Sequence, residues 1–141
     1  TRKQRPSKKR MKTGLKALLI VVGVLAALMI AFIVFVIGGK GLTLGQQIGD
    51  VNLSVIDDGV YTGSYSALRW SNTVELTVKD HAITDIKVIK PQVLAKQETM
   101  DAMKQAVLSE QGLQVDAVSG ATADSKAYLK AVENALLSAL G

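Results

Sequence analysis

Cysteine is absent from the 141 residues. That excludes a disulfide framework, a thiolate metal site and a lipobox-type acyl anchor, so any folded domain must stand on its hydrophobic core. Histidine occurs once, as His81, with no second His or Cys nearby, which argues against a metal centre. There is no G-x-G-x-x-G, no P-loop and no nucleophile beside a partnered base. The chain therefore carries no sign of a self-contained catalytic site. It has no internal repeat and no low-complexity segment. Two further absences divide it. Residues 1–16 contain no acidic residue, and Ala17 to Gly39 contain no charged residue at all.

The uncharged run is about 34 Å long as a helix, enough to cross a hydrocarbon core of about 30 Å. No amphipathic face interrupts it, as one would in a soluble core helix. A cleaved signal peptide is the competing reading. The run is longer than an ordinary h-region and no Ala-x-Ala follows it, which favours a retained anchor over 17–39. The preceding basic tail, 1–16, holds Arg2, Lys3, Arg5, Lys8, Lys9, Arg10, Lys12 and Lys16. By the positive-inside rule this end is cytoplasmic and the rest of the chain faces outward. Solvated charge against anionic headgroups accounts for the tail better than nucleic acid does. The formal charge of +5 misleads, because the remaining residues carry nine basic against twelve acidic groups.

Residues 40–56 read as a juxtamembrane linker, with Val51, Leu53 and Val55 suggesting a short strand or packed lead-in. Val60 to Leu68 reads as a strand with Tyr61, Gly63, Tyr65 and Ala67 on one face. Arg69 to Asn72 reads as a hairpin connection. Thr73 to Lys79 alternates cleanly, Val74, Leu76 and Val78 inward. Ala82 to Lys90 is a third strand, with Ile86 and Val88 on one face, Ile83 and Ile89 on the other, and Pro91 as its end. Lys96 to Gln111 reads as a helix with a core stripe of Met100, Met103 and Val107, stopped at Gly112. Three strands followed by helix, loop and helix, without βαβ alternation, point to an α+β fold: a small antiparallel sheet with helices packed on one side.

The last helix presents Tyr128, Ala131, Val132, Ala135, Leu136, Ala139 and Leu140 on one face, with Lys126, Lys130, Glu133, Asn134 and Ser138 opposite. Its start falls between Ser119 and Asp124. Gly120 permits a bend there. The loop Asp116 to Thr122 thus offers backbone N–H groups and a Thr hydroxyl at a helix N-terminus, a ready phosphate site. Capping is the alternative role for Ser119 and for Thr122, and an Asx-type turn or cap for Asp116.

Asp116-x-x-Ser119-Gly120-Ala121-Thr122 before an amphipathic helix resembles the flavinylation motif of the FMN-binding domain family. That family includes the flavin-carrying small subunits of sodium-pumping quinone reductase and Rnf-type complexes. The resemblance extends through Asp58-Gly59-Val60-Tyr61-Thr62-Gly63 and Val78-Lys79-Asp80 to Ile86, covering about Asp57 to Leu140. It implies an FMN-binding domain over 57–141. It also implies that Thr122 is esterified to the phosphate of FMN, donated from FAD by a separate flavin transferase. Asp116, Ser119, Gly120 and Ala121 would fill the positions that the transferase reads. Two further roles are open to Asp116, activating the hydroxyl or holding the transferase's metal, and one to Ser119, a hydrogen bond to a phosphate oxygen. Trp70, Tyr61 and Tyr65 are candidate stacking partners for the flavin, although a hairpin-tip Trp70 suits surface or membrane-interface packing as well. Two features depart from the family: Ala123-Asp124-Ser125 replaces an aromatic followed by Thr or Ser, placing a charge near the phosphate, and His81 replaces a turn Gly.

The implied protein is a membrane-anchored, extracytosolic flavoprotein, an electron carrier more than an enzyme, working between a membrane donor and an outer acceptor. Its implied partners are the transferase and a redox protein or quinone. The alternatives are a membrane-tethered binding module and a reversible FMN binder.

Overall fold

The computed structural model of the protein describes residues 2–4 and 12–141. Of the basic tail, Arg5, Lys8, Lys9 and Arg10 lie outside the described residues. Two compact units are present, 1–34 and 35–141. The first is the larger part of helix α1 (Thr13–Ile37), none of whose residues is buried. α1 is long and apolar enough to cross a membrane, and its exposed apolar surface is not that of a core helix.

The second unit holds strands β1 (Gly59–Tyr65), β2 (Asn72–Lys79) and β3 (Ala82–Lys90) in an antiparallel sheet of order β1-β2-β3. Helices α3 (Gln97–Glu110) and α4 (Thr122–Leu140) follow. Val74, Leu76 and Val78 are buried in β2, as the alternation requires, and pack with Met103, Val107, Tyr128, Val132 and Leu136 of the helices. β1 approaches α4 at Gly63, where a Cβ would collide with Ala135 N and Ala131 O. The small residues Ala131 and Ala135 thus let strand backbone lie against helix backbone.

Four expectations are corrected. In β3, Ile83 and Ile86 share the core face, each 2% exposed, while Ile89 is exposed. The cause is a register shift between Thr77 and Val78. Val78 pairs with Ile83 while Thr77 pairs with Asp85, so Thr84 is the extra residue of a bulge. α3 runs to Glu110, and its left-handed C-cap is Gln111, at φ 53°, and not Gly112. The Gln111 side chain accepts from Ile83 N at 2.7 Å and donates to Ile83 O at 2.9 Å, which ties that turn to the sheet. Glu133 is buried rather than solvent-facing, because it accepts a hydrogen bond from Gly49 N at 3.0 Å. Trp70 is no surface residue: it is 1% exposed, in a 3-10 turn over Leu68–Trp70 entered by Leu68 at φ 49°.

The stretch 40–56 is built into this unit instead of hanging free. Gly39, at φ 79°, turns the chain out of α1 into a short helix, α2 (Lys40–Leu44). Thr43 is fully buried and hydrogen-bonds Tyr65 OH at 2.9 Å. Lys126 Nζ donates to Leu44 O (2.6 Å) and Gln46 O (3.2 Å), and Lys130 Nζ to Gln47 O (3.3 Å). The cations satisfy carbonyls that the end of α2 leaves without helical partners. Val51 and Leu53 pack against the core around a 3-10 turn over Leu53–Val55.

Candidate functional site

α4 begins at Thr122, inside the expected window. The residue before it, Ala121, offers no side-chain cap. Ser125, inside the helix, ties the preceding loop instead. Its hydroxyl accepts from Val118 N (3.0 Å) and donates to Ala121 O (2.7 Å), closing the loop around Ser119 and Gly120. Gly120 has φ 79°, the left-handed conformation that favours glycine. A Cβ there would meet no neighbour within 4 Å, so the requirement is one of backbone conformation, not space. Thr122 is left exposed, and its hydroxyl caps no helix N–H. The first N–H groups of α4 have no intrahelical acceptors.

Three holds fix the mouth of α4. Trp70 Nε1 donates to Asp124 Oδ1 at 2.8 Å. Gln92 Nε2 donates to Asp124 O at 2.9 Å, and Asn72 Nδ2 to Ala127 O at 3.0 Å. Arg69 completes the cluster. It lies 4.0 Å over the Trp70 ring, pairs with Asp124 at 3.3 Å and donates to Val36 O at 3.1 Å. The charge that Asp124 brings close to the motif is therefore balanced by Arg69.

Gly120, Ala121 and Thr122 open onto a cleft of 460 Å³, within the roughly 300–1,000 Å³ usual for ligand sites. Val36, Ile37, Lys40, Leu44, Arg69 and Trp70 also line it. The charged lining groups are Lys40, Arg69 and Asp124, a balance of one positive charge. A phosphate on the Thr122 hydroxyl would meet a helix N-terminus and a net cationic wall, so the donor set fits that group. A larger groove of 590 Å³ bears only Asp50 and Glu110 as charged lining groups, which suits an anion poorly.

The remaining sequence candidates lie elsewhere. Ser119 is exposed in the turn before Gly120. Asp116 is exposed and lines neighbouring grooves beside Gln114 and Val115, not the Thr122 cleft. Tyr61 OH is spent on Asp57 O at 2.7 Å, and Tyr65 OH on Thr43. Trp70 lines the cleft but has one ring face under Arg69. Met100 and Met103 are core, and His81 Nδ1 lies 3.0 Å from Ile56 O. Among the described residues no group of three His, Cys, Asp or Glu is placed to hold a metal ion. Tyr128 OH is buried without a protein partner, and burial pushes its pKa well above the usual phenol range. Sequence reasoning missed Lys40, Arg69 and Ser125 as parts of the site. The one available signal was a lysine directly after the Gly38-Gly39 break that ends the apolar run.

No curated protein matches the chain. Residues 71–137 match the family model described as FMN-binding domain. The match runs from β2 through most of α4 and includes the whole Asp116–Thr122 motif. An FMN-binding domain is therefore present in residues 71–137.

Proposed function

We propose that this protein is a single-pass, membrane-anchored flavoprotein that carries FMN covalently on Thr122 and passes electrons between a membrane donor and an outer acceptor. The basic tail stays in the cytoplasm and the domain lies outside, in the manner of the flavin-carrying subunits of sodium-pumping quinone reductase and Rnf-type complexes. The observation that carries the reading is Thr122 itself: exposed, first in α4, uncommitted to capping and opening onto a cleft of net positive charge. When bound, FMN supplies one- and two-electron transfer, and the protein supplies position and solvent access.

Attachment makes a phosphodiester. Thr122 Oγ bonds to the FMN phosphorus of FAD, the pyrophosphate P–O bond breaks, AMP leaves and the hydroxyl proton is released, all within a separate flavin transferase. The α4 N-terminus favours the remaining negative charge by roughly 0.3–1 kcal/mol. That is too weak to retain a cofactor outside the cell, which is the purpose of the covalent link. Asp116 and Ser119, exposed on the approach to Thr122, are then recognition residues for the transferase.

The test is in-gel flavin fluorescence of denatured protein after co-expression with a flavin transferase. Wild type should fluoresce and Thr122→Val should be dark. Two dark bands, with the transferase active on a control, would leave a reversible FMN binder or a tethered binding module.

A further inference from the structure

The Thr122 cleft is only half made by the FMN-binding domain. Gly120, Ala121, Thr122 and Asp124 lie within the matched residues 71–137, whereas Val36, Ile37, Lys40, Leu44, Arg69 and Trp70 lie outside them. The outside half comes largely from the exit of α1 and from α2. These are fastened to the domain by Thr43 to Tyr65, Arg69 to Val36 O and Lys126 to Leu44 O. α2 is thus positioned as a wall and not as a passing tether.

The charges in the cleft are unequally committed. Arg69 is paired with Asp124 and hydrogen-bonded to Val36 O and Val93 O. Three ion pairs occur among the described residues, and none includes Lys40. Lys40 is exposed at the cleft wall and supplies its one uncompensated charge. Val36, Ile37 and Leu44 give the same wall an apolar face suited to the edge of an aromatic ring system.

We propose that Lys40 is the counter-ion of the phosphodiester on Thr122 and that α2 is the membrane-side wall of the cofactor cleft. This rests on the assignment of flavin to Thr122. One positive charge in the cleft is what a phosphodiester monoanion requires, and Lys40 is the group free to provide it. A consequence is that the cofactor's phosphate end is fixed beside the point where α1 ends.

The test compares lysine acylation by an N-hydroxysuccinimide acetate in the flavin-loaded full chain and in Thr122→Val, read by mass spectrometry. Lys79 and Lys87, exposed on the sheet, are internal references. Lys40 should react about tenfold more slowly in the loaded protein, with Lys79 and Lys87 unchanged. Equal Lys40 rates, in protein shown to be loaded, would overturn the counter-ion proposal and leave attachment standing. Wild type that never loads would overturn the attachment reading, and this proposal with it. A second measurement uses loading itself. Lys40→Glu changes the cleft balance from one positive to one negative charge and should depress loading, and Lys40→Arg should restore it. Equal loading of Lys40→Glu and wild type would contradict the proposal.

Discussion

Two glycines face the helix α4 system, and they are required for opposite reasons. Gly63, in β1, leaves no room for a Cβ against Ala131 and Ala135. Gly120, at the mouth of the helix, has open space around it and a φ of 79°. The middle of α4 is packed until nothing more fits, while its mouth is held in one backbone shape with a cleft left beside it. Close packing there and open space here divide the helix into a part that specifies the fold and a part that borders the cleft. Each part can be broken separately.

The largest effect should come from Gly63→Ala. Its Cβ must displace backbone atoms of α4, and overpacking against backbone costs about 3 kcal/mol or more. Urea denaturation of the detergent-solubilised chain should show the domain largely unfolded or its midpoint sharply lowered. A near-neutral result would mean that β1 and α4 are not in backbone contact. Glu133→Ala comes next. It strips the acceptor from Gly49 N and an ion-pair partner from Lys130, and a hydrogen bond to a charged acceptor is worth about 1.5–3 kcal/mol. The variant should also release residues 46–49, visible as faster amide exchange in that stretch alone.

Gly120→Ala tests the other half of the comparison. With space available, only the left-handed conformation is penalised, at about 1 kcal/mol. The fold should persist with a slightly lowered midpoint, while flavin loading should fall more than stability does. Equal losses from Gly63→Ala and Gly120→Ala would erase the distinction drawn above. The smallest effect is electrostatic and lies away from both glycines. Asp85 accepts from Lys104 at 2.8 Å, and this hydrogen bond holds its pKa below the ordinary 3.8. A depressed carboxylate stabilises the fold above its unfolded pKa, and that contribution is lost as pH falls through the folded value. The stability gap between wild type and Lys104→Ala should therefore shrink on acidification below about pH 4. The pair is largely exposed, so the gap should stay under about 1 kcal/mol even at neutral pH.

Local signals were legible in the sequence, and long-range ones were not. The alternation of Val74, Leu76 and Val78, the stripe of α3 and the start of α4 are written in neighbouring residues, and all appear in the structure. So is the bend at Gly120. The Ile83–Ile86 face was misread because a bulge adds one residue and leaves no compositional mark. The burial of Glu133 was hidden for a different reason. Its partner is the backbone N–H of Gly49, and backbone groups look alike in every sequence. The same holds for Lys126, which reaches carbonyls of Leu44 and Gln46. A helix face with Lys, Lys and Glu reads as solvated until a distant segment is laid over it. The site was legible to the same extent. Gly120, Ala121 and Thr122 of the motif line the cleft, but its other lining residues were taken for the end of the apolar helix (Val36, Ile37) and for a linker (Lys40, Leu44), because their role depends on where the chain turns at Gly39.

The central claim is that one hydroxyl of this loop carries the flavin. The most direct measurement is tandem mass spectrometry of the tryptic peptide 105–126 from protein co-expressed with a flavin transferase. That peptide holds Ser109, Ser119, Thr122 and Ser125 as competing hydroxyls. The account predicts a mass increase of FMN less one water, with fragment ions placing it on Thr122. An adduct on Ser119 or Ser125, or an unmodified peptide when the transferase labels a control, would contradict it.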